Sequence, residues 1–264
     1  MAQRFLGKVV IVTGSSAGIG QDAATEFAKE GAFVTIHGQN ADRLNDTEAR
    51  MVETGISKEK ILKVIGSLED PKTPAKIVEQ TVQKFGKIDV LVNNAGAAGH
   101  PTIDDVDALE YLDFLYTVNF RSVVALTQLA IPYLEKTKGN VVNVSSMSSF
   151  LTQKSQAFYN SLKAALDHFT HCYADKYGPK GIRMNTINPG FIRTHIINRR
   201  NVSGAQDRFE EYAAKYTSLG RVGQVSETSS LIKFLASDEA SYVTGSNYVV
   251  DGGHSLYVPE MNFG

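Results

Sequence analysis

The sequence predicts a doubly wound α/β fold in a single domain, and three observations carry the prediction. Lys8-Val9-Val10-Ile11-Val12-Thr13 is a continuous β-branched run of the kind a strand covered on both faces requires, and it stops at a glycine-rich turn, Gly14-Ser15-Ser16-Ala17-Gly18-Ile19-Gly20. Further short apolar runs alternate with segments of helical period along the chain. Polar turns then close three later strands: Asn93-Asn94-Ala95-Gly96, Ser145-Ser146 and Asn188-Pro189-Gly190. A chain of 264 residues with 42% hydrophobic content can bury one large core. A formal charge of −1, with no run of like charge, excludes a nucleic-acid surface. No apolar stretch approaching the roughly 18 residues of a membrane span is expected, and the short polar start, Met1 to Gly7, reads as that of a cytoplasmic protein. One cysteine, Cys172, forbids an internal disulfide and is expected to pack as a small apolar residue.

In chain order, the first strand and glycine turn lead into a helix from about Gln21 to Glu30, with Ala24, Phe27 and Ala28 at apolar spacing. Glycines let a backbone approach a pyrophosphate, and the free N–H groups of a helix start carry positive partial charge toward it. A phosphate is therefore expected against Gly14, Ser16, Gly18, Ile19 and Gly20. The second strand, Ala32 to His37, ends at Gly38-Gln39-Asn40, where a dinucleotide site reads the adenosine ribose. No carboxylate stands there to repel a 2′-phosphate, and Arg43 is the nearest spare cation.

The spacing Thr-Gly-x-x-x-Gly-x-Gly from Thr13, together with Tyr159-Asn160-Ser161-Leu162-Lys163, resembles the short-chain dehydrogenase/reductase family, nearly end to end. The resemblance implies a parallel sheet of about seven strands with helices on both faces, and an NAD(P)-dependent exchange of hydride with an alcohol or carbonyl. Lack of a carboxylate at Gln39 leans toward NADP, although NADP-preferring members usually place Arg there and often a basic residue at Ala17's position. The third strand, about Lys60 to Ile65, leads to Ser67, which aligns with the Asp by which the family commonly holds the adenine. After a helix from Pro71 to Phe85 and a fourth strand, Lys87 to Val92, the family's turn at Asn94, Ala95 and Gly96 lines the adenosine side of the cofactor.

Two apolar helices are expected next, about Asp105 to Asn119 and Arg121 to Thr137, with a polar break at Asn119. Asn119 matches the family's fourth catalytic residue, which holds a water linking the lysine to solvent. Asn140 to Ser145 reads as the fifth strand. Ser146 lies thirteen residues before Tyr159, the family spacing, while Ser145 tilts to the other side of the pleat. The helix from about Ser155 to Tyr177 places Tyr159 and Lys163 one turn apart on one face. A cation so placed favours phenolate, which suits Tyr159 to exchange protons near neutral pH. His168 and His171 lack a third ligand at metal spacing, so no metal is expected.

The sixth strand, Ile182 to Ile187, runs into Pro189-Gly190-Phe191-Ile192-Arg193-Thr194, the family's Pro-Gly-x-x-x-Thr. There the backbone at Ile192 and the Thr194 hydroxyl grip the nicotinamide carboxamide. About residues 195–217 correspond to the family's substrate lid. A helix from Val225 to Ser237 and a last strand at Ser246 to Val250 complete the domain, residues 1–264. Apolar side chains on more than one face of the helices at 121–137 and 155–177 predict a homo-oligomer, a tetramer as in much of the family. Two other readings stand beside the oxidoreductase: an epimerase or dehydratase on the same fold, and a cofactor-binding regulatory protein with a silent site.

Overall fold

In the computed structural model, residues 3–194 and 204–256 are described. Seven parallel strands form one sheet in the order β3-β2-β1-β4-β5-β6-β7. They are β1 (Val9–Val12), β2 (Phe33–Gly38), β3 (Ile61–Ile65), β4 (Val90–Asn93), β5 (Asn140–Val144), β6 (Arg183–Pro189) and β7 (Asn247–Val250). The pleat divides β1 between two cores: Val10 and Val12 face one, Ile11 the other. On the first face lie α1 (Gly18–Lys29), α2 (Ala41–Glu53) and α8 (Val225–Ala236), through Ala24, Phe27, Leu44, Met51, Ile232 and Leu235. On the second lie α3 (Thr73–Phe85), α5 (Ser122–Thr137) and α6 (Ala157–Tyr177), through Ile77, Leu126, Leu134, Phe169 and Ala174. Strand order reverses between β1 and β4, so the connections leave on opposite sides and open a crevice at the carboxyl ends of those strands.

Three local differences from the sequence expectations have identifiable causes. The helix expected from Asp105 begins at Leu109, as α4 (Leu109–Tyr116), because Asp105 Oδ1 accepts the Asp107 N–H at 2.9 Å and holds an Asx turn. The chain does not break at Asn119. It widens into a π turn, Thr117–Arg121, and continues as α5, giving one helix of 29 residues, Leu109–Thr137. With a mean hydropathy of 1.3 in its most apolar window, this helix is long and apolar enough to cross a membrane by length and composition, contrary to the expectation. Here Leu126, Ala130 and Leu134 lie against the sheet, as a core helix requires. Cys172 is exposed rather than packed. The buried seam of α6 runs through Lys163, Asp167, Thr170 and Ala174, which turns 168, 171, 172 and 175 outward. The remaining helix, α7 (Ala205–Tyr216), falls within the expected lid, whose residues 195–203 lie outside the described residues.

Candidate active site

Thr13 and Asn94 tie the crevice together across β1 and β4. The Asn94 and Ala95 N–H groups both donate to Thr13 Oγ1 at 3.1 Å, and Asn94 Nδ2 donates to the Thr13 and Gly14 carbonyls at 2.9 and 3.1 Å. Gly14, at φ +65°, lies so close to this turn that a Cβ on it would sit 2.7 Å from Ala95 Cα. Helix α1 then begins at Gly18 with no side-chain cap, so its first N–H groups, at Gly18, Ile19 and Gly20, are not claimed by a capping side chain. That is the cradle a pyrophosphate fits, an uncapped helix start behind a glycine turn. Thr194 approaches it from β6: a Cβ on Gly18 would lie 3.2 Å from Thr194 Cγ2. Of the two turn serines, Ser15 is consumed structurally, its Oγ donating to the Val12 carbonyl and accepting the His37 N–H, while Ser16 packs against Gly38.

Further out, Gln39 and Arg43 are exposed at the end of β2 and the start of α2, and Arg43 uses its N–H, not its guanidinium, to reach the Asn40 side chain. Ser67 is half-buried after β3 and donates to Glu69 Oε1 at 3.2 Å, so its hydroxyl has a local partner where the adenine was expected.

Lys163 is 4% exposed, and its Nζ donates to the Val144 carbonyl of β5 at 3.0 Å. It stands 5.7 Å from the Tyr159 ring centroid, and a Cβ on Gly96 would be 3.7 Å from Nζ and 3.0 Å from Asn119 Oδ1. Tyr159, Lys163, Gly96 and Asn119 therefore share one small volume. Burial pushes the ammonium down from its ordinary 10.5 to about 8, with the Asp167 charge resisting the fall. Asn119 has both halves of its amide engaged with one residue: Oδ1 accepts the Ala97 N–H and Nδ2 donates to the Ala97 carbonyl, each at 2.8 Å. This reciprocal pair satisfies both halves of the buried amide and explains why an Asn is tolerated in the π turn. The two serines after β5 divide as the pleat requires. Ser145 is buried and its Oγ donates to the Lys163 carbonyl; Ser146 is half-buried, its Oγ accepting the Ser148 N–H at 3.1 Å. At β6, Gly190 abuts Asp251, where a Cβ would lie 2.6 Å from the Asp251 Cβ. Beyond Pro189 and Gly190, Ile192 forms an isolated bridge with Gly223. The bridge uses the Phe191 carbonyl and the Arg193 N–H, leaving the N–H and carbonyl of Ile192 outside it.

Comparison with known proteins joins this geometry to a family. Residues 14–255 match the family model described as enoyl-(acyl carrier protein) reductase. The chain is 35% identical to the 3-oxoacyl-[acyl-carrier-protein] reductase of Thermotoga maritima, covering 95% of this chain and 98% of that one. It is 34% identical to the meso-2,3-butanediol dehydrogenase of Serratia marcescens, covering 95% of each. Among solved structures it resembles a short-chain dehydrogenase/reductase of unknown function from Caenorhabditis elegans, crystallised with cofactor. That likeness has a TM-score of 0.91 and 35% identity over 97% of both chains. The chain belongs to the short-chain dehydrogenase/reductase family. It is an NAD(P)-dependent oxidoreductase.

Two residues of this dehydrogenase escaped the sequence reading. His37, 3% exposed, bridges the glycine turn to β3: Nδ1 accepts the Gly14 N–H at 3.4 Å and Nε2 faces the Gly66 carbonyl at 3.0 Å. Burial holds the ring neutral, with its pKa lowered to about 4. Asp167, one turn beyond Lys163, is buried and accepts from Asn188 Nδ2 at 2.8 Å. A carboxylate four residues beyond Lys163, on the same face of the helix, was the available signal for the second; none marked the first.

Proposed function

We propose that the chain interconverts a carbonyl compound and its alcohol, with Tyr159, Lys163, Ser146 and Asn119 as its catalytic residues. The observation that supports this most is the burial of Lys163 beside Tyr159, at the strand edge that also carries the uncapped glycine turn. When bound, the nicotinamide supplies hydride to the carbonyl carbon in reduction and takes it back in oxidation. Ser146 Oγ donates a hydrogen bond to the substrate oxygen and so polarises it. Tyr159 gives its phenolic proton to that oxygen as the C=O π bond breaks, and takes the proton back in oxidation. Lys163 stabilises the phenolate and holds the nicotinamide ribose. Asn119 keeps the π turn and the Gly96 wall against Lys163, maintaining the proton route to solvent. The cofactor contacts are Gly14, Ser16, Gly18, Ile19 and Gly20 at the pyrophosphate, Gln39 at the ribose and Ser67 at the adenine. Asn94, Ala95 and Gly96 line the adenosine side, and Pro189, Gly190, Ile192 and Thr194 hold the carboxamide. A screen of carbonyls with NADPH and of alcohols with NADP⁺ and NAD⁺ tests the reading; no cofactor-dependent turnover on any of them would overturn it.

The cofactor favoured is NADP, by a modest margin, since a neutral pocket fails to reward a 2′-phosphate without repelling it. Gln39→Arg adds one charge-assisted contact and should raise NADP affinity about 10- to 100-fold with little effect on NAD, measured as dissociation constants by calorimetry. A carboxylate placed to reverse the preference belongs at Gln39 rather than Gly38, because a Cβ on Gly38 would come within 2.9 Å of Ser16 Cβ. We also infer a cytoplasmic homotetramer. Leu109, Tyr116 and Leu129 on the long helix are exposed, and Phe120 meets Phe169 of α6 edge to face with centroids 5.9 Å apart. A monomeric mass by light scattering at micromolar concentration would sink the assembly.

A further inference from the structure

Asp167 is 7% exposed, and its two oxygens are unequally treated. Oδ2 accepts from Asn188 Nδ2; Oδ1 has no hydrogen-bond partner among the described residues. The same Asn188 Nδ2 lies 3.1 Å from the Ser146 carbonyl and 2.9 Å from Ser149 Oγ. A buried carboxylate held by a single neutral donor is costly, and an amide or hydroxyl would serve Asn188 equally well as an acceptor. What neither could supply is charge. Four residues back on the same face of α6 is Lys163, whose buried ammonium donates to the Val144 carbonyl and has no ion-pair partner among the described residues.

Among the described residues, the other elements packed around Lys163 bring no counter-charge. β5 contributes the Val144 carbonyl, the turn after β4 contributes Gly96, and the π turn contributes Asn119. The titratable group that α4 adds to the cluster around Leu162 and Tyr159 is Tyr111. On the side of Asp167, β6 and the turn after β5 bring Asn188, Ser146 and Ser149, all neutral. We propose that Asp167 is a positioning residue for charge: it keeps Lys163 an ammonium at working pH and, through Asn188, holds the backbone of Ser146 in register with Tyr159. The proposal rests on the reading of Tyr159 and Lys163 as the acid/base pair. It assigns a fifth polar residue to the reaction, one that touches neither substrate nor cofactor.

The test is the titration of Lys163 itself, followed by carbon NMR of lysine-labelled full-length protein, with the resonance identified by its loss in Lys163→Met. The wild-type midpoint is expected near 8. Asp167→Asn keeps an acceptor for Asn188 and deletes the charge, so the midpoint should fall by about one unit while the melting temperature moves by no more than about 2 °C. The alkaline limb of kcat/KM for NADPH-dependent reduction of diacetyl should move with it, a loss of about tenfold at pH 9 and about twofold at pH 7. An unchanged midpoint overturns the proposal. If Asp167→Asn does not fold, Asp167→Ser makes the same test; failure of both to fold shows a purely structural residue and overturns it too. A shifted midpoint in a protein that reduces no carbonyl supports the coupling and counts against the acid/base reading instead.

Discussion

Lys163 and Lys233 carry the same ammonium into opposite faces of one sheet, and their surroundings differ in carboxylates. Lys233 on α8 is 8% exposed and donates to Glu26 Oε2 at 3.0 Å and Glu30 Oε1 at 2.9 Å. Glu30 in turn receives Arg4 through Nε and Nη2 at 2.7 and 2.8 Å, so the network ties the start of the chain, α1 and α8 together. Burial acts to lower the Lys233 pKa, but the bonds from Glu30 and Glu26 outweigh it and the value ends raised. At Lys163 burial wins, and the group titrates near 8. The charge that joins elements is paired in full; the one beside the phenol of Tyr159 is left short of compensation, as the proposed chemistry requires.

The largest expected effect tests what the under-compensated charge acts upon. Tyr159→Phe removes one proton and almost no area, so kcat/KM should drop by about 10²- to 10⁴-fold while cofactor binding stays within about twofold. Because the chain has no Trp, binding is followed by NADPH fluorescence or calorimetry. A Phe variant retaining more than about a tenth of the wild-type rate would remove Tyr159 from the chemistry and the comparison would lose its functional side.

Next in size is the paired lysine. Lys233→Met removes one partner each from Glu26 and Glu30, although Lys29 still serves Glu26 and Arg4 still serves Glu30. A loss of about 2 kcal/mol is expected, a melting point lower by roughly 4–8 °C, with turnover per folded molecule unchanged. A variant as stable as wild type would show the network to be ornamental.

The smallest change in stability has the opposite sign. Lys163→Met should abolish turnover yet raise stability at pH 7 by about 1–2 kcal/mol, because it deletes an ammonium whose burial disfavours the folded state. Between about 8 and 10.5 the unfolded chain binds more protons at Lys163 than the folded one, so wild-type stability gains with pH across that window and the variant's advantage closes. Lys233 behaves inversely. Its folded pKa is raised, so its contribution is complete below the ordinary lysine value and is lost as pH rises through the raised one. Melting curves of both variants and wild type from about pH 7 to pH 10 separate the two signatures; a Lys163→Met curve parallel to wild type would mean the lysine is solvated after all.

What could be read in advance was whatever the chain encodes locally. Burial of β1 on both faces followed from an unbroken β-branched run. The split between Ser145 and Ser146 followed from the period of two in a pleated strand, and the juxtaposition of Tyr159 with Lys163 from the 3.6-residue helical turn. Glycine spacing located an uncapped helix start, since only the residues of that turn decide whether its N–H groups are taken. Even the missed start of α4 was local in origin, an Asx turn at Asp105 that the apolar period concealed.

Tertiary structure alone decided the rest, because hydrogen-bond partners and local dielectric are set by residues far away in sequence. The continuation of the helix through Asn119 depends on Ala97, 22 residues earlier. Asn93 and Asn94 are neighbours of one type, yet Asn93 reaches Asn143 and Thr127 in the core while Asn94 holds the glycine turn, a division imposed by strands on either side of β4. Sequence set Lys163 one turn from Tyr159, but how much charge it carries there depends on walls from β5, the π turn and the turn after β4, and on a carboxylate fixed by β6. Geometry along one helix is a short-range property; the free energy of a proton on a buried amine is a sum over everything that excludes water from it.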